Sequence, residues 1–507
     1  MKIAYFNLLL TLLRCIMSST IFLVLFLIVI EVTLVGCQDN RPELPYSTIK
    51  PLIIHTDLPE EDDGRGGVIA VDLTGDNYMD FIVTKPGHIA AISNSGETLW
   101  HRQVDIQLTR KSEKFGLPGL HAPGVQAADV DGDENVEVLF LTQDGQLCVI
   151  DGKTGKTRIN VPLEPPNGAE RWEHLVVSNM LGQGDSALIL QATNARGYRM
   201  GSHVAALYLG SLIEVDIATY LWKRDDFLAN AHSGTRVADV DLDGKDEITG
   251  GMILDHKGHV LITLPLLGHI DSIFVADVRP DLVGLEVLAL EEENGLWLFS
   301  GRNPMSRLLN KLINGIYIRL FSKGNNVYLY NHDSLIWRVD YRQREPQNAG
   351  VGDFDPSLPG LEIWCRSRFN THQKPFVLDA YGDLIATYEL DDLAPKGWTV
   401  KGVEEISTID WSGDAKQLLA AKERHVSGNV AVFDAISGTF LELFNEKADR
   451  LYVADVYGDF REELIIMNGN ELHIYVNDQR NPNPSTSTLW QNNYYRRSKM
   501  TWNYYNP

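Results

Sequence analysis

Asp129-Val-Asp-Gly-Asp-Glu-Asn-Val-Glu137 and Asp239-Val-Asp-Leu-Asp-Gly-Lys-Asp-Glu247 place acidic side chains at positions 1, 3, 5 and 9 of a short loop, with Asn135 or Lys245 at position 7. Alternating positions of a tight loop aim their oxygens at one centre, and glycine relieves the turn. The spacing is that of a calcium loop, and it recurs. Asp72-Leu-Thr-Gly-Asp-Asn-Tyr-Met-Asp80 repeats it around Asp72, Asp76 and Asp80, and Asp455-Val-Tyr-Gly-Asp-Phe-Arg-Glu-Glu463 keeps positions 1, 5 and 9. Two further copies carry one extra residue before the closing carboxylate, giving the sets Asp277, Asp281, Glu286 and Asp353, Asp355, Glu362. Weaker echoes start at Asn179 and Asp410, where the plainer reading holds, of side chains capping backbone N–H groups in a turn.

Eight such anchors, at 72, 129, 179, 239, 277, 353, 410 and 455, recur on average about every 55 residues. Each is preceded and followed by a short apolar run, and the downstream stretches, such as Gly145 to Thr157, alternate polar and apolar residues and turn at glycine. The pattern predicts an all-β fold, a β-propeller of four-stranded blades with calcium-binding aspartate loops. Eight blades fit best, with seven and an open β-solenoid as alternatives. The interval between Asp277 and Asp353 is the widest and implies an insertion. Cys148 and Cys365 sit singly in apolar runs and are expected as buried free thiols.

The N-terminus has basic Lys2 and Arg14, an apolar run over 21–30, and Leu34-Val-Gly-Cys37. This resembles a bacterial lipoprotein signal, with cleavage before Cys37 and acylation of its thiol; an uncleaved signal anchor is the alternative. Residues 1–36 are thus expected as signal peptide, 37–60 as lipidated N-terminus and linker, and 61–507 as one propeller. The expected location is the cell envelope, as an outer-membrane or secreted lipoprotein. A net charge of −23 from 68 acidic and 45 basic residues disfavours nucleic acid as partner and favours divalent cations. The chain is expected to be a monomer.

Three stretches carry a family likeness: Val237 to Ile248, Gly268-His-Ile-Asp271 running into Val275 to Val287, and Ala454 to Leu464 with Tyr495, Arg496 and Trp502 downstream. They resemble the rhamnogalacturonan lyases of polysaccharide lyase family 11. The resemblance implies an eight-bladed propeller with several calcium ions, an acidic polysaccharide substrate, and histidines from adjacent blades beside a calcium at the cleft. Those histidines match His269 and, offset by one residue, His232. The chain is shorter than the family, and its stretch over 300–345 departs from the family pattern. An ulvan-type lyase and a non-catalytic glycan-binding or adhesion propeller are the alternatives.

His121 and His269 each stand eight residues before their loop's first aspartate, and His232 stands seven before, so one blade position recurs. A lyase of this kind removes the C5 proton of a uronate by β-elimination, which requires the neighbouring carboxylate to be neutralised and a base and an acid to be in place. The catalytic candidates are His232, His269, Tyr198, Arg196, Arg199 and His174, with Tyr198 or His174 as base. His121, Asp271 and Arg366 are the substrate-binding candidates.

Overall fold

Each aspartate-rich stretch joins the first strand of a four-stranded antiparallel sheet to its second, and the described residues form eight such sheets. The computed structural model describes residues 41–59, 66–106, 124–197, 199–232, 234–292, 326–340, 346–367, 373–398, 403–423, 428–484 and 488–500. The first strands of blades 1 to 8 are Gly67–Val71, Val125–Ala128, Trp172–Ser178, Arg236–Ala238, His269–Ala276, Pro346–Gly352, Val403–Ile409 and Arg450–Ala454. Neighbouring first strands pack side by side around the axis of a β-propeller.

Burial follows from that stacking. Inner strands such as Asp80–Lys85 and Ala187–Thr193 are buried at every residue, because a blade covers both of their faces. Outer strands such as Thr219–Arg224 alternate exposed and half-buried residues. Adjacent blades are clasped at their rims. Trp100, Trp222 and Trp337 donate Nε1–H to the carbonyls of Gly152, His256 and Ala380 in the next blade, at 2.6, 3.1 and 3.0 Å. Gly155 and Gly258 have positive φ and lie where a Cβ would fall 2.6 and 2.7 Å from the Trp100 and Trp222 rings, so the clasp requires glycine on two counts.

Seven blades use four strands consecutive in the chain. The eighth takes its outer strand from the N-terminus: Leu52–His55 pairs with Glu471–Tyr475, with Leu52 opposite Ile474. That pairing closes the ring, which excludes the open solenoid, and the blade count is eight rather than seven. It also corrects one expectation: residues 52–55, assigned to the linker, belong to the propeller. Residues Asn493–Met500 form a helix. The insertion predicted after Asp277 opens between Glu286–Glu292 and Asn326–Tyr330 of blade 5, across residues outside the described set. Cys148 and Cys365 are buried and unbridged. No helix among the described residues is long and apolar enough to cross a membrane, and Cys37 and the signal segment lie outside them.

The C-terminal helix packs against the first strands of blades 1, 4 and 5 at the end of the ring where the aspartate loops lie. Arg497 pairs with Asp185 of blade 3 at 2.6 Å and Asp246 of blade 4 at 2.9 Å, and Lys499 pairs with Glu462 of blade 8 at 2.7 Å. Tyr495 donates to Glu462 and accepts from the Asp455 N–H, both at 2.9 Å. Behind the helix is an axial cavity of about 430 Å³, lined by first-strand residues of blades 4 to 8.

Candidate functional site

At the opposite end of the ring, where the first strands begin, two imidazoles and two carboxylates converge. His269 opens the first strand of blade 5, Asp271 follows two residues on, and Glu292 lies directly across from His269 on the second strand. His232 comes from the segment leading into blade 4, which is tied to blade 5 by the Ala231 N–H to Ile270 carbonyl bond of 3.0 Å. His232 Nε2 is 3.2 Å from Asp271 Oδ1, the two rings are 5.5 Å apart, and one ligand atom from each of the four residues falls within 4.8 Å of the others. His269 Nε2 is 2.9 Å from Glu292 Oε2 but lacks hydrogen-bond alignment, so a buried nitrogen and an oxygen face a common centre. Two imidazoles with two carboxylates form a donor set that fits a divalent cation.

Buried partners hold the cluster. Glu291 accepts the N–H groups of Leu267 and Gly268, the residues just before His269, together with Asn326 Nδ2 at 2.6 Å and the Tyr328 hydroxyl at 2.8 Å. Gln347 of blade 6 donates to Glu292 Oε1 at 3.4 Å and accepts from Arg366. Arg366 is therefore joined to the cluster through one amide. Farther round the same end, Lys422 and Arg450 each lie 3.5 Å from the buried Glu405. The sequence reading missed Glu291, Glu292, Gln347 and Lys422. The only signal was a run of three acids, Glu291 to Glu293, ending the apolar run from Val287, which a core strand does not need.

Of the remaining candidates, Arg199 adjoins Met200, whose N–H bonds the carbonyl of Ala231 beside His232 at 3.0 Å. His174 is buried in blade 3 with Nε2 3.0 Å from the Thr235 carbonyl, and its ring lies so close to Gly234 that a Cβ there would come within 2.7 Å. It buttresses the segment that carries His232 instead of facing solvent as a base would. Arg196 is exposed at a turn, Arg199 is half-buried nearby, and Tyr198 and His121 lie outside the described residues.

In the loops, the closing carboxylate is buried and spends one oxygen on a backbone N–H near the start of the loop: Val130 to Glu137 at 3.2 Å, Val240 to Glu247 at 2.8 Å, Arg279 to Glu286 at 2.9 Å, and Phe354 to Glu362 at 2.8 Å. Burial pushes these carboxyls up, Glu247 to about 8 and Glu137, Glu286 and Glu362 to about 7. The second oxygens of Glu286 and Glu362, with Asp353 Oδ1 and Asp239 Oδ1, are buried without a partner, which fits a bound cation. Asp239, Asp241 and Glu247 can bring three oxygens to one point, as can Asp129, Asp131 and Glu137. Asp243 and Lys245 pair with each other at 3.5 Å, and Asn135 donates its N–H to Asp133. Elsewhere the chain uses its own donors. Asp80 Oδ1 accepts the Asn94 N–H at 3.0 Å, Asp76 accepts the Asn94 amide at 3.1 Å, and Asp72 binds the N–H groups of Gly75, Asp76 and Asn77. Asp281 is turned onto Arg279 in two contacts of 2.8 Å, and Asp355 accepts from Ser357.

With this geometry in place, the likenesses to known proteins become informative. Residues 214–302, which contain all four residues of the cluster, match the model of the rhamnogalacturonan lyase family 11 C-terminal domain. The chain is 23% identical over 399 residues to the rhamnogalacturonan endolyase YesW of Bacillus subtilis (strain 168), and 25% identical over 403 residues to the exolyase YesX of the same organism. The matches take in 68% of this chain but 55% and 59% of those relatives, so the chain spans little more than half of their length. Among solved structures, it superposes on the exotype rhamnogalacturonan lyase YesX with a TM-score of 0.62 at 20% identity, covering 90% of this chain and 80% of that one. The rhamnogalacturonan lyase PL11 of Bacillus licheniformis gives 0.59 at 20% identity, with the same coverage. The structural likeness fixes the eight-bladed propeller fold.

Proposed function

We propose that this chain is a polysaccharide lyase that cleaves a rhamnogalacturonan-like, uronate-containing polymer by β-elimination, with a divalent cation, calcium, held by His232, His269, Asp271 and Glu292. The observation that carries this reading is the convergence of those four groups from two blades at one end of the ring, with a buried imidazole nitrogen and a carboxylate oxygen facing each other out of hydrogen-bond alignment. A cation bound there supplies the positive charge that neutralises the uronate carboxylate and acidifies its C5 proton. In this reading Arg366 orients an anionic sugar, a role supported by its link to Glu292 through Gln347. The imidazoles act as cation ligands and His174 as a support, which leaves Tyr198 as the proton acceptor. The loops of blades 4, 5 and 6 hold structural calcium in this reading, and the acylated Cys37 anchors the protein to the outer face of a bacterial envelope, within reach of a polymer that cannot enter the cell.

Incubation of the purified protein with rhamnogalacturonan I and calcium tests the reading through the ultraviolet absorbance of the 4,5-unsaturated uronate. Absorbance should rise with the protein and stay flat with chelator. A flat trace on rhamnogalacturonan I and on ulvan, with polymer binding retained, would make the chain a glycan-binding propeller instead.

A further inference from the structure

The loops of blades 2 and 4 share five of nine residues, including every carboxylate of the 1, 3, 5, 9 pattern, yet they meet different surroundings. Both have carboxylates at positions 1, 3, 5 and 9, both bring three oxygens to one point, and both spend one oxygen of the closing glutamate on a backbone N–H. In blade 2 that point is taken. Arg158, on the outer strand Thr157–Pro162, places Nη1 on Glu137 Oε1 and Nη2 on Asp131 Oδ2. Both oxygens of Asp129 are also occupied, by the N–H groups of Gly132 at 2.7 Å and Glu134 at 3.0 Å.

The internal repeat shows that this arginine is a local replacement. Arg158 is the bulged residue where the outer strand slips by one between Val149↔Ile159 and Ile150↔Thr157. The same slip occurs in each of the six other blades built from consecutive strands, and the bulged residue is then Leu99, Leu221, Leu261, Ile336, Ile385 or Leu441. Those aliphatic side chains can offer no charge to a loop. In blade 6, where Ile385 stands, Glu362 Oε1 and Asp353 Oδ1 are buried and have no partner.

We infer that Arg158 is a built-in counter-cation that occupies the metal position of the blade 2 loop, so that this loop is fixed without a divalent ion while its counterpart in blade 4 is not. A guanidinium suits the task because its rigid fork reaches two carboxylates at once and it stays charged at any physiological pH. The inference departs from the calcium site that the sequence of Asp129 to Glu137 implies, and it stands whether or not the protein is a lyase.

Arg158→Leu, which installs the residue type of the other blades, tests it. Calorimetric titration of the apo protein with CaCl₂ should show one more ion bound per chain in R158L than in wild type, and calcium should raise the melting temperature of R158L by more than that of wild type. An unchanged ion count would overturn the inference. Wild-type protein supplies a second measurement if R158L folds poorly. Amide exchange over 125–141 should be the same in calcium and in chelator, whereas exchange over 346–367 should quicken in chelator; equal calcium sensitivity of both segments would assign an ion to blade 2 and remove Arg158 from the role.

Discussion

Two clusters of buried charge, one at each end of the ring, are built differently. At the loop end the chain meets its own carboxylates with its own donors: Arg497 lies on Asp185 and Asp246, Lys499 on Glu462, and Arg158 on Asp131 and Glu137. At the other end His232, His269, Asp271 and Glu292 bring one ligand atom each to within 4.8 Å of the others, with His232 3.2 Å from Asp271 and His269 2.9 Å from Glu292. Charges already paired inside the chain stabilise the fold, whereas a set of ligands left facing one another serves something that binds. The difference teaches which end to mutate for which effect. His269→Ala should cut turnover by roughly 10²–10³-fold, because it removes electrostatic stabilisation of the developing charge, while the melting temperature stays near that of wild type. Arg497→Ala should do the reverse. It removes the guanidinium shared by Asp185 and Asp246, leaving Asp185 with Arg496 at 3.8 Å and Asp246 with the Ser178 hydroxyl and the Asn179 N–H. The cost is up to about 3–5 kcal/mol, read as a lowered midpoint of denaturant unfolding, and catalysis by the surviving folded protein is retained. Equal loss of stability in both variants would dissolve the distinction and make His269 a core residue.

Glu291 sharpens the comparison from inside the histidine end. It touches none of the four ligand side chains in the resolved hydrogen bonds, yet its carboxylate grips the two N–H groups that precede His269 and is itself held by Asn326 and Tyr328. Glu291→Gln points an amide N–H at donors and lets the turn relax. Outer partners of ligating residues typically contribute roughly 10–100-fold to metal affinity or activity. The expected result is a fall of that order in kcat with KM little changed. A variant whose loss lies wholly in KM would place Glu291 in substrate binding.

The fold was legible because it repeats: eight loop anchors recurring on average about every 55 residues mark eight first-to-second strand connections, including the weak copies at Asn179 and Asp410. The closing strand was not, since Leu52–His55 is four residues long and pairs with a partner more than four hundred residues away, which no local pattern encodes. At the candidate site, His232 and His269, read as catalytic, and Asp271, read as substrate-binding, are brought into one cluster. Glu292 was hidden because it sits on another strand, and it becomes a neighbour of His269 only through the sheet register. Arg158 was hidden for the same reason. One basic residue in an exposed outer strand reads as solvated surface until the bulge register shows where it points.

The smallest expected effect separates the two ends by pH. Glu247, Glu286 and Glu362, whose carboxyls ordinarily titrate near 4.5, are raised by burial to about 8, 7 and 7 in the folded chain. A carboxyl whose folded value is raised adds stability that is fully present below its unfolded value and is lost as pH climbs through the folded one. In chelator, therefore, the melting temperature should fall by a few degrees as pH rises from about 4.5 to about 8 and level off above that. Asp133 and Asp355, held low by hydrogen bonds from Asn135 and Ser357, change charge at more acidic pH and stay outside this window. Calcium needs the same carboxyls ionised, so its stabilisation should grow over the interval and flatten or reverse the decline. Since Glu137 is also raised to about 7 but already faces Arg158, R158L should steepen the fall in chelator. A melting temperature that climbs with pH in chelator would mean that the loop carboxyls are already compensated in every blade, and the contrast between blade 2 and its neighbours would fail with it.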